Sequence, residues 1–374
     1  MSKTICHSLI AGLLCGLATA RGEDSPAKFL GANSCASSSC HGGGGAQQDQ
    51  FLTWSLKDFH SQRPPATLTT ARSKQLSEAL GVKDPTTDER CTVCHAPLQE
   101  VPEESQGGQF KASEGVSCES CHGPAENWLR AHTRHDYTRA DRTAAGMRDL
   151  QNLYVRANTC VACHQTVAQP LLEAGHPELR FELDGQSVAE PKHWSAEKNG
   201  NGAQAWLVGQ AVALREMSWQ LNREAGRVQD LPVAVTDTNL VQRWGALAWV
   251  LHETGTVNFT VPLALNDYGS IQHKADQLAR EKSEAVWTEQ MTEACLTRLA
   301  GQAASFSDPK IPQPVQARRA ERLVLALDRL LAAENNHQAE AELNQLFKLA
   351  QSVPDFDPGQ FAAGLEKFAA AVKN

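Results

Sequence analysis

The sequence predicts a mainly α-helical protein with little regular sheet, in which an N-terminal cofactor domain is followed by a C-terminal helical bundle. Two observations support this prediction. Eight cysteines form four pairs before residue 165, and a histidine directly follows each pair. No further pair follows His164, and beyond residue 201 apolar residues recur at helical spacing. We therefore expect a signal peptide over residues 1–20, a cofactor domain over 21–200 and a helical domain over 201–374.

Composition narrows the classes of function. The chain has 374 residues, of which 41% are hydrophobic, which is enough to build folded cores. A formal net charge of -8 and the lack of a polybasic stretch argue against a surface that binds nucleic-acid phosphates. The 11 cysteines and 13 histidines are the unusual part of the composition. Because these residue types are soft and borderline metal ligands, a metal cofactor is the natural place to look for function.

The N-terminus has the pattern of an export signal. Lys3 precedes an apolar run over residues 9–17, and the small residues Ala18 to Ala20 provide a cleavage site before Arg21. The run is shorter than the roughly 20 residues that cross a bilayer, which disfavours a retained membrane anchor. A lipid-modified Cys15 is a minor alternative, because Leu14 is bulky where a small residue is expected. We expect a periplasmic or otherwise exported protein with no transmembrane segment in the mature chain.

Three of the four cysteine pairs have the C-x-x-C-H spacing of c-type haem attachment, in which two thiols bond the porphyrin and the adjacent imidazole reaches the iron. The first pair has a four-residue spacer of small residues that can bulge without moving the thiols far apart. The sequence thus predicts four covalently attached haem c groups. The predicted attachment cysteines and iron-binding histidines are Cys35, Cys40 and His41; Cys91, Cys94 and His95; Cys118, Cys121 and His122; and Cys160, Cys163 and His164.

Two other interpretations of the cysteine pairs are weaker. Structural zinc would use the pairs in couples and would not require a histidine after every pair. Disulfides suit an exported protein, and they are the main alternative for the irregular first pair. A disulfide across two intervening residues closes a very small loop, however, and constrains the unfolded chain little.

The sixth iron ligand separates an electron carrier from a catalyst, because a second imidazole closes the face where a small molecule could bind. The mature chain offers three methionines but eight histidines outside the motifs, which favours bis-histidine ligation. The predicted distal ligands, which lie close to the motifs along the chain, are His60, His132, His176 and His193.

Other histidines compete less well for this role. His60 follows an apolar segment with helical spacing that contains Phe51 and Trp54, and His132 lies on a helix expected to begin at Pro124. His135 shares that helical face and is a rival of His132. The later histidines, His252, His273 and His337, are expected to be ordinary polar side chains.

The segment from Gly115 to Pro124, continuing to Trp128 and His132, resembles the third haem region of the tetrahaem cytochromes related to the electron acceptor of hydroxylamine oxidoreductase. Trp54 to Ser61 and Cys91 to Ala96 match earlier landmarks of the same domain. The resemblance covers roughly residues 30–195. It implies a mostly α-helical fold with closely stacked haems that transfer electrons, in which His132 reaches the first haem and His60 is also an axial ligand.

This chain departs from the family in two respects: the first motif has the longer spacer, and the C-terminal half has no counterpart in the small archetype. In that archetype the second haem is five-coordinate, so the resemblance would place an open position on the iron held by His95. Segments around His176 and His193 are similar to those of other exported multihaem cytochromes, where such histidines are plausible ligands.

Three apolar stripes in the C-terminal half predict the core of the bundle. Cys295 is unpaired and is expected to be a buried free thiol. The sequence shows no phosphate-binding glycine loop and no nucleophile elbow. The stripes are Leu240, Trp244, Leu247, Ala248 and Leu251; Leu323, Leu327, Leu330 and Leu331; and Phe361, Leu365, Phe368 and Val372.

The function predicted from the sequence is electron transport between redox partner proteins, by transfer from haem to haem in an exported tetrahaem c-type cytochrome. The alternative is a haem oxidoreductase that acts on a small nitrogen or oxygen species at a five-coordinate iron. A protein that merely carries haems as a scaffold is a third class. The sequence does not indicate the oligomeric state.

Overall fold

The computed structural model describes residues 26–45, 48–194, 202–227, 238–257, 267–334, 337–351 and 355–373. The predicted export signal, residues 1–20, lies outside these ranges. So do residues 199–201, at the boundary between the two predicted domains. Over the described residues the structure is mainly α-helical, which confirms the predicted fold class. The sheet pairing described there is one isolated parallel bridge between Phe29 and Gln106.

Up to residue 194 the helices are short and are separated by turns and brief 3₁₀ helices. Several begin at a polar N-cap whose side chain accepts a backbone N–H, such as Thr70, Asp88 and Asn152. The helices are α1 (Gln50–Lys57), α2 (Phe59–Thr67), α3 (Ala71–Leu80), α4 (Glu89–His95), α5 (Cys118–His122), α6 (Arg139–Ala144), α7 (Leu153–His164), α8 (Gln169–Glu173) and α9 (Leu183–Ala189).

After residue 201 the helices are longer and pack on one another. Helix α10 is central, since it contacts α7, α9, α11, α12 and α14. The helices of this half are α10 (Gly202–Arg227), α11 (Thr238–Glu253), α12 (Tyr268–Glu284), α13 (Glu289–Ala300), α14 (Gln313–Ala333), α15 (Glu340–Ala350) and α16 (Pro358–Val372). Among the described residues, none of the helices is both long and apolar enough to cross a membrane.

The apolar stripes predicted for the second half form its core. Every predicted residue of α11, α14 and α16 is buried except Val372, which is partly buried at the edge of the core. Cys295 is buried and free, as predicted, and burial raises the pKa of its thiol to about 11.

The described residues before Leu153 form no comparable apolar core. The contiguous cluster of buried apolar residues begins at Leu153 and continues into α16. Before residue 153 the buried apolar side chains are scattered, for example Leu68, Leu98 and Trp128. We therefore expect that a bound group supplies the missing interior of this half.

A polar network joins α7, which carries the fourth cysteine motif, to the helices of the second half. The Tyr154 hydroxyl donates to Asp276 Oδ1 at 2.6 Å, and Arg215 Nη1 donates to the same oxygen at 2.8 Å. Arg215 Nη2 also donates to Asn158 Oδ1 at 2.6 Å. Because α7 ends at the fourth motif, this network and the apolar contacts of α10 fix the position of that motif.

Replacing Asp276 with Asn should destabilise the attachment of α7. Burial opposes ionisation of Asp276, but hydrogen bonds from Tyr154, Arg280 and Arg215 outweigh it and hold the pKa of this carboxyl at about 2. We expect Asp276→Asn to lower the free energy of unfolding by about 2 kcal/mol at pH 7, measured by urea denaturation.

The effect should depend on pH in a defined direction. A carboxyl whose pKa is lowered in the folded protein stabilises it above the unfolded pKa and loses that contribution as the pH falls through the folded pKa. The difference between wild type and Asp276→Asn should therefore shrink as the pH falls from about 4 to about 2. Glu281→Gln, an exposed change on the same helix, serves as the control. An equal loss in both variants would contradict the role of the network.

Candidate functional site

The three C-x-x-C-H motifs adopt the same local structure. Each forms the last turn of a helix that ends at its histidine, in α4, α5 and α7. Residues three and four apart lie on one helical face, so both cysteines and the histidine of a motif project to the same side. This arrangement presents two thiols and an imidazole to a single bound group.

The first motif is built differently. A 3₁₀ helix, Ala32–Cys35, leads into turns in which the His41 N–H donates to the Cys35 carbonyl oxygen at 3.1 Å. A Cβ on Gly42 would lie 1.9 Å from the carbonyl oxygen of Ala36. Glycine is thus required here because the chain folds back on its own spacer.

Three pairs of imidazole rings lie close together on the cavity lining, and each pair joins a motif histidine to a predicted distal one. The ring centroids of His41 and His132 are 6.1 Å apart. Those of His164 and His60 are 6.0 Å apart, and those of His95 and His176 are 6.5 Å apart. Two imidazoles bound to opposite sides of one metal, with bonds of about 2 Å each, would have centroids about 6 Å apart.

His122 and His193 are the remaining pair. Burial lowers the pKa of His122 to about 4, and His193 is the neighbouring charge that contributes most to the same shift. The buried Nδ1 of His122 has no hydrogen-bond partner among the described residues. An unpaired buried nitrogen is expected at a site that a bound group completes.

In six of the eight predicted ligands, Nδ1 donates a hydrogen bond to the protein, which leaves Nε2 as the nitrogen that can bind a metal. The acceptors are Gln50 Oε1 for His41 (2.9 Å), Asp58 Oδ1 for His60 (3.0 Å), and the carbonyl oxygens of Pro64 for His95 (3.1 Å), Trp128 for His132 (3.2 Å), Pro177 for His176 (2.9 Å) and Pro191 for His193 (3.4 Å).

The seventh, His164, has its Nδ1 3.2 Å from the Gln186 side-chain amide. Gln186 Oε1 is buried without a partner, and rotating the amide by 180° would let that oxygen accept from Nδ1. All seven rings are thus held in a common way, as second-shell bonds hold metal-bound histidines.

The eight histidines line one continuous cavity of about 2970 Å³. Pockets for a single small ligand measure about 300–1,000 Å³, so this volume can hold several large groups. Seven of the eight predicted attachment cysteines also line the cavity, whereas Cys40 is exposed beside it. Trp219 and Arg223 of α10 form part of the wall, so the second half contributes to the site.

Thiols of different motifs come close together. Cys118 lowers the pKa of the Cys35 thiol and Cys163 lowers that of the Cys94 thiol, so the two thiols of each couple are close neighbours. The Cys163 thiol is also 3.9 Å from the carbonyl oxygen of Val93. The first motif is therefore adjacent to the third, and the second to the fourth.

The alternatives to haem find less support in this geometry. All nine cysteines of the described residues are free. No group of three or more His, Cys, Asp or Glu side chains within the described ranges is arranged to hold a metal ion by itself. The donor set of paired thiols and opposed imidazoles around a large cavity fits haem c better than a tetrahedral zinc centre.

Two local expectations from the sequence are wrong. The apolar segment before His60 is not one helix, because Asp58 is extended and separates α1 from α2, in which His60 is the second residue. The helix expected after Pro124 is a run of turns and a 3₁₀ helix, Ala131–Thr133. Backbone N–H groups of this segment bond elsewhere, for example that of Ala125 to Glu119 Oε1 at 2.7 Å.

The structure also separates the competing histidines. His132 lies on the cavity wall, whereas its rival His135 is exposed and does not line the cavity. His252, His273 and His337 are exposed side chains of the second half and lie outside the cavity lining.

Glu119, within the third motif, was not singled out from the sequence. Its side chain is buried and accepts three backbone N–H groups: Leu30 at 2.9 Å, Gly31 at 2.7 Å and Ala125 at 2.7 Å. It therefore fastens the segment before the first motif to the third motif. Its position between two motif cysteines gives no signal of this role in the sequence.

Replacing Glu119 with Gln should loosen this junction. A glutamine keeps one acceptor oxygen and brings an amide N–H against a backbone N–H, so at least one buried donor loses its partner. We expect Glu119→Gln to lower the free energy of unfolding by about 2–3 kcal/mol in urea denaturation. Glu126→Gln, whose remaining amide oxygen can still accept the exposed N–H of Lys28, should cost less than about 1 kcal/mol. Equal effects of the two variants would contradict the assigned role.

Comparison with known proteins agrees with the chemistry of the site. Residues 34–123, which contain the first three motifs, match the family model described as "Cytochrome c554 and c-prime". The match supports a c-type cytochrome, an electron carrier with covalently bound haem c. No curated protein matches the chain, and no solved structure matches it either.

Proposed function

We propose that this protein is an exported tetrahaem c-type cytochrome that carries electrons by transfer between four haem c groups. Each cysteine pair would anchor one porphyrin, and the histidine after it would bind the iron. The proposed second ligands are His132 for the iron held by His41, His176 for that of His95, His193 for that of His122 and His60 for that of His164.

The facing imidazole pairs carry this proposal. Centroid separations of 6.0–6.5 Å in three pairs match one metal between two rings, and the Nδ1 bonds leave Nε2 to bind it. With His122 and His193 as the proposed fourth pair, the histidines would bind four irons, which is the number of cysteine pairs. The volume of the cavity supports several haem groups.

Haem c supplies a one-electron couple between ferric and ferrous iron. The cysteines of this chain would fix each porphyrin in place by thioether bonds, and the histidines would bind each iron with two imidazoles, so that little would rearrange on reduction. Contacts of Cys35 with Cys118 and of Cys94 with Cys163 support two pairs of neighbouring porphyrin edges, the first with the third and the second with the fourth. Such closeness favours electron transfer within each pair.

An enzyme with an open iron is the other candidate. The resemblance placed the open position on the iron of His95, but His176 lies opposite that histidine in this chain. The structure therefore favours four closed irons and a carrier that exchanges electrons with redox partner proteins. We attribute export to the signal-like sequence of residues 1–20, and we retain the proposed division into residues 21–200 and 201–374.

Removal of one distal histidine tests the proposal. His132→Ala should convert one low-spin iron to high spin, seen by electron paramagnetic resonance, because the iron held by His41 loses its sixth ligand. His135→Ala, three residues away and exposed, is the matched control and should leave the spectrum unchanged. Intact-mass measurement of the secreted wild type should show the polypeptide plus four haem groups.

Three results would contradict the proposal. A bare polypeptide mass would exclude haem attachment. A wild type with high-spin iron that shifts on adding cyanide would favour the enzyme. A spectral change in His135→Ala without one in His132→Ala would exclude the assigned ligand.

A further inference from the structure

The eight histidines predicted to bind iron differ in the chemical group that lies next to their Nδ1 atom. Five donate to neutral oxygens of backbone carbonyls or of Gln50, and His164 lies against the neutral amide of Gln186. His122 has no partner for Nδ1 among the described residues. His60 is different, because its Nδ1 lies 3.0 Å from Asp58 Oδ1 and 3.7 Å from Glu190 Oε1. Two carboxylates thus converge on one imidazole.

Asp58 is held rigidly in this position. Its side chain is only 5% exposed, and Oδ1 accepts both the backbone N–H of His60 at 2.9 Å and Nδ1–H. Its own N–H donates to Thr53 and Trp54 carbonyl oxygens at the end of α1. Asp58 is the extended residue between α1 and α2. The break between the two helices therefore places its carboxylate next to the His60 ring.

A carboxylate that accepts the Nδ1 proton makes the imidazole a stronger electron donor to its metal. Stronger donation and nearby negative charge both favour the more positive, ferric iron. His60 faces His164, whose other neighbour is uncharged, so the carboxylates of Asp58 and Glu190 act on the iron of the fourth motif.

We propose that Asp58, assisted by Glu190, is a positioning residue that gives the iron between His60 and His164 the lowest reduction potential of the four. This inference rests on the proposed function, namely haem at the fourth motif with His60 as its distal ligand. With haem bound there, this iron would be the one oxidised most readily, and the electron would pass to a neighbouring ferric iron of this chain without any bond forming or breaking.

The test is a spectroelectrochemical titration of the purified holoprotein and its variants. Asp58→Asn removes the charge but keeps an N-cap, since asparagine caps helices well. We expect the equilibrium constant for reduction of the lowest-potential haem to rise about tenfold, which is about 59 mV for a one-electron couple. Glu190→Gln should shift the same haem in the same direction by less, because its carboxylate is farther from Nδ1.

Two further variants sharpen the test. Gln50→Glu places a carboxylate against Nδ1 of His41 and should lower the potential of a different haem. Asp357→Asn removes an N-cap carboxylate of α16, outside the cavity lining, and should leave all four potentials unchanged.

The outcomes separate this inference from the proposed function. Haem number and spin state are measured first on each sample, by intact mass and electron paramagnetic resonance. A wild type without four low-spin haems would overturn both. With four low-spin haems present, unchanged or lowered potentials in Asp58→Asn and Glu190→Gln would overturn the role of the carboxylates alone. If Asp58→Asn does not fold, Glu190→Gln and Gln50→Glu decide the question.

Discussion

Three pairs of imidazole rings have centroids 6.0–6.5 Å apart, the separation expected for one metal bound between two rings. This geometry is the constraint on which the N-terminal half depends. The protein atoms do not fill the space between these rings. Short helices, turns and 3₁₀ segments bury little apolar surface by themselves, so they cannot offset the conformational entropy of ordering that half. Coordination and porphyrin contacts would provide the missing free energy, in the way that metal binding drives the folding of small metal-binding domains. If haem binds as proposed, the geometry of the rings would be a condition for folding as well as for electron transfer.

The C-terminal half, in contrast, is built around its own apolar core. Its helices bury continuous apolar stripes, and its core extends backward into α7 through Leu153, Ala157 and Val161. That helix belongs to both halves of the molecule, because one face packs on α10 and α12 while its last turn carries the fourth motif. A stable bundle thus provides a reference position for one cysteine motif. The other motifs surround the same cavity. The closeness of Cys94 and Cys163 relates the second motif to the fourth.

Regular patterns in the sequence predicted the mainly helical fold and the core of the second half, and they indicated candidate residues for holding a bound group. Helical stripes such as Leu323 to Leu331 identify a core because burial follows the helical period, and C-x-x-C-H identifies a site because its chemistry needs that spacing. The residues that escaped prediction act through contacts distant in sequence or through local breaks. Glu119 bonds to residues nearly ninety positions earlier, and Asp58 interrupts a stripe that looks continuous. Which motif histidine lies next to which distal histidine depends on the tertiary structure. The spacing of the histidines along the chain does not predict it.

The anchoring of Leu30 and Gly31 by Glu119 has a consequence for how the protein matures. A ribosome delivers the chain from its N-terminus, so the first motif emerges long before the carboxylate that fixes the segment in front of it. Until then the N–H groups of Leu30 and Gly31 lack the carboxylate that accepts them in the folded protein. The Cys35 thiol is buried once the fold is complete. If haem is attached at the first motif as proposed, attachment before the third motif arrives would find this thiol not yet enclosed by the fold.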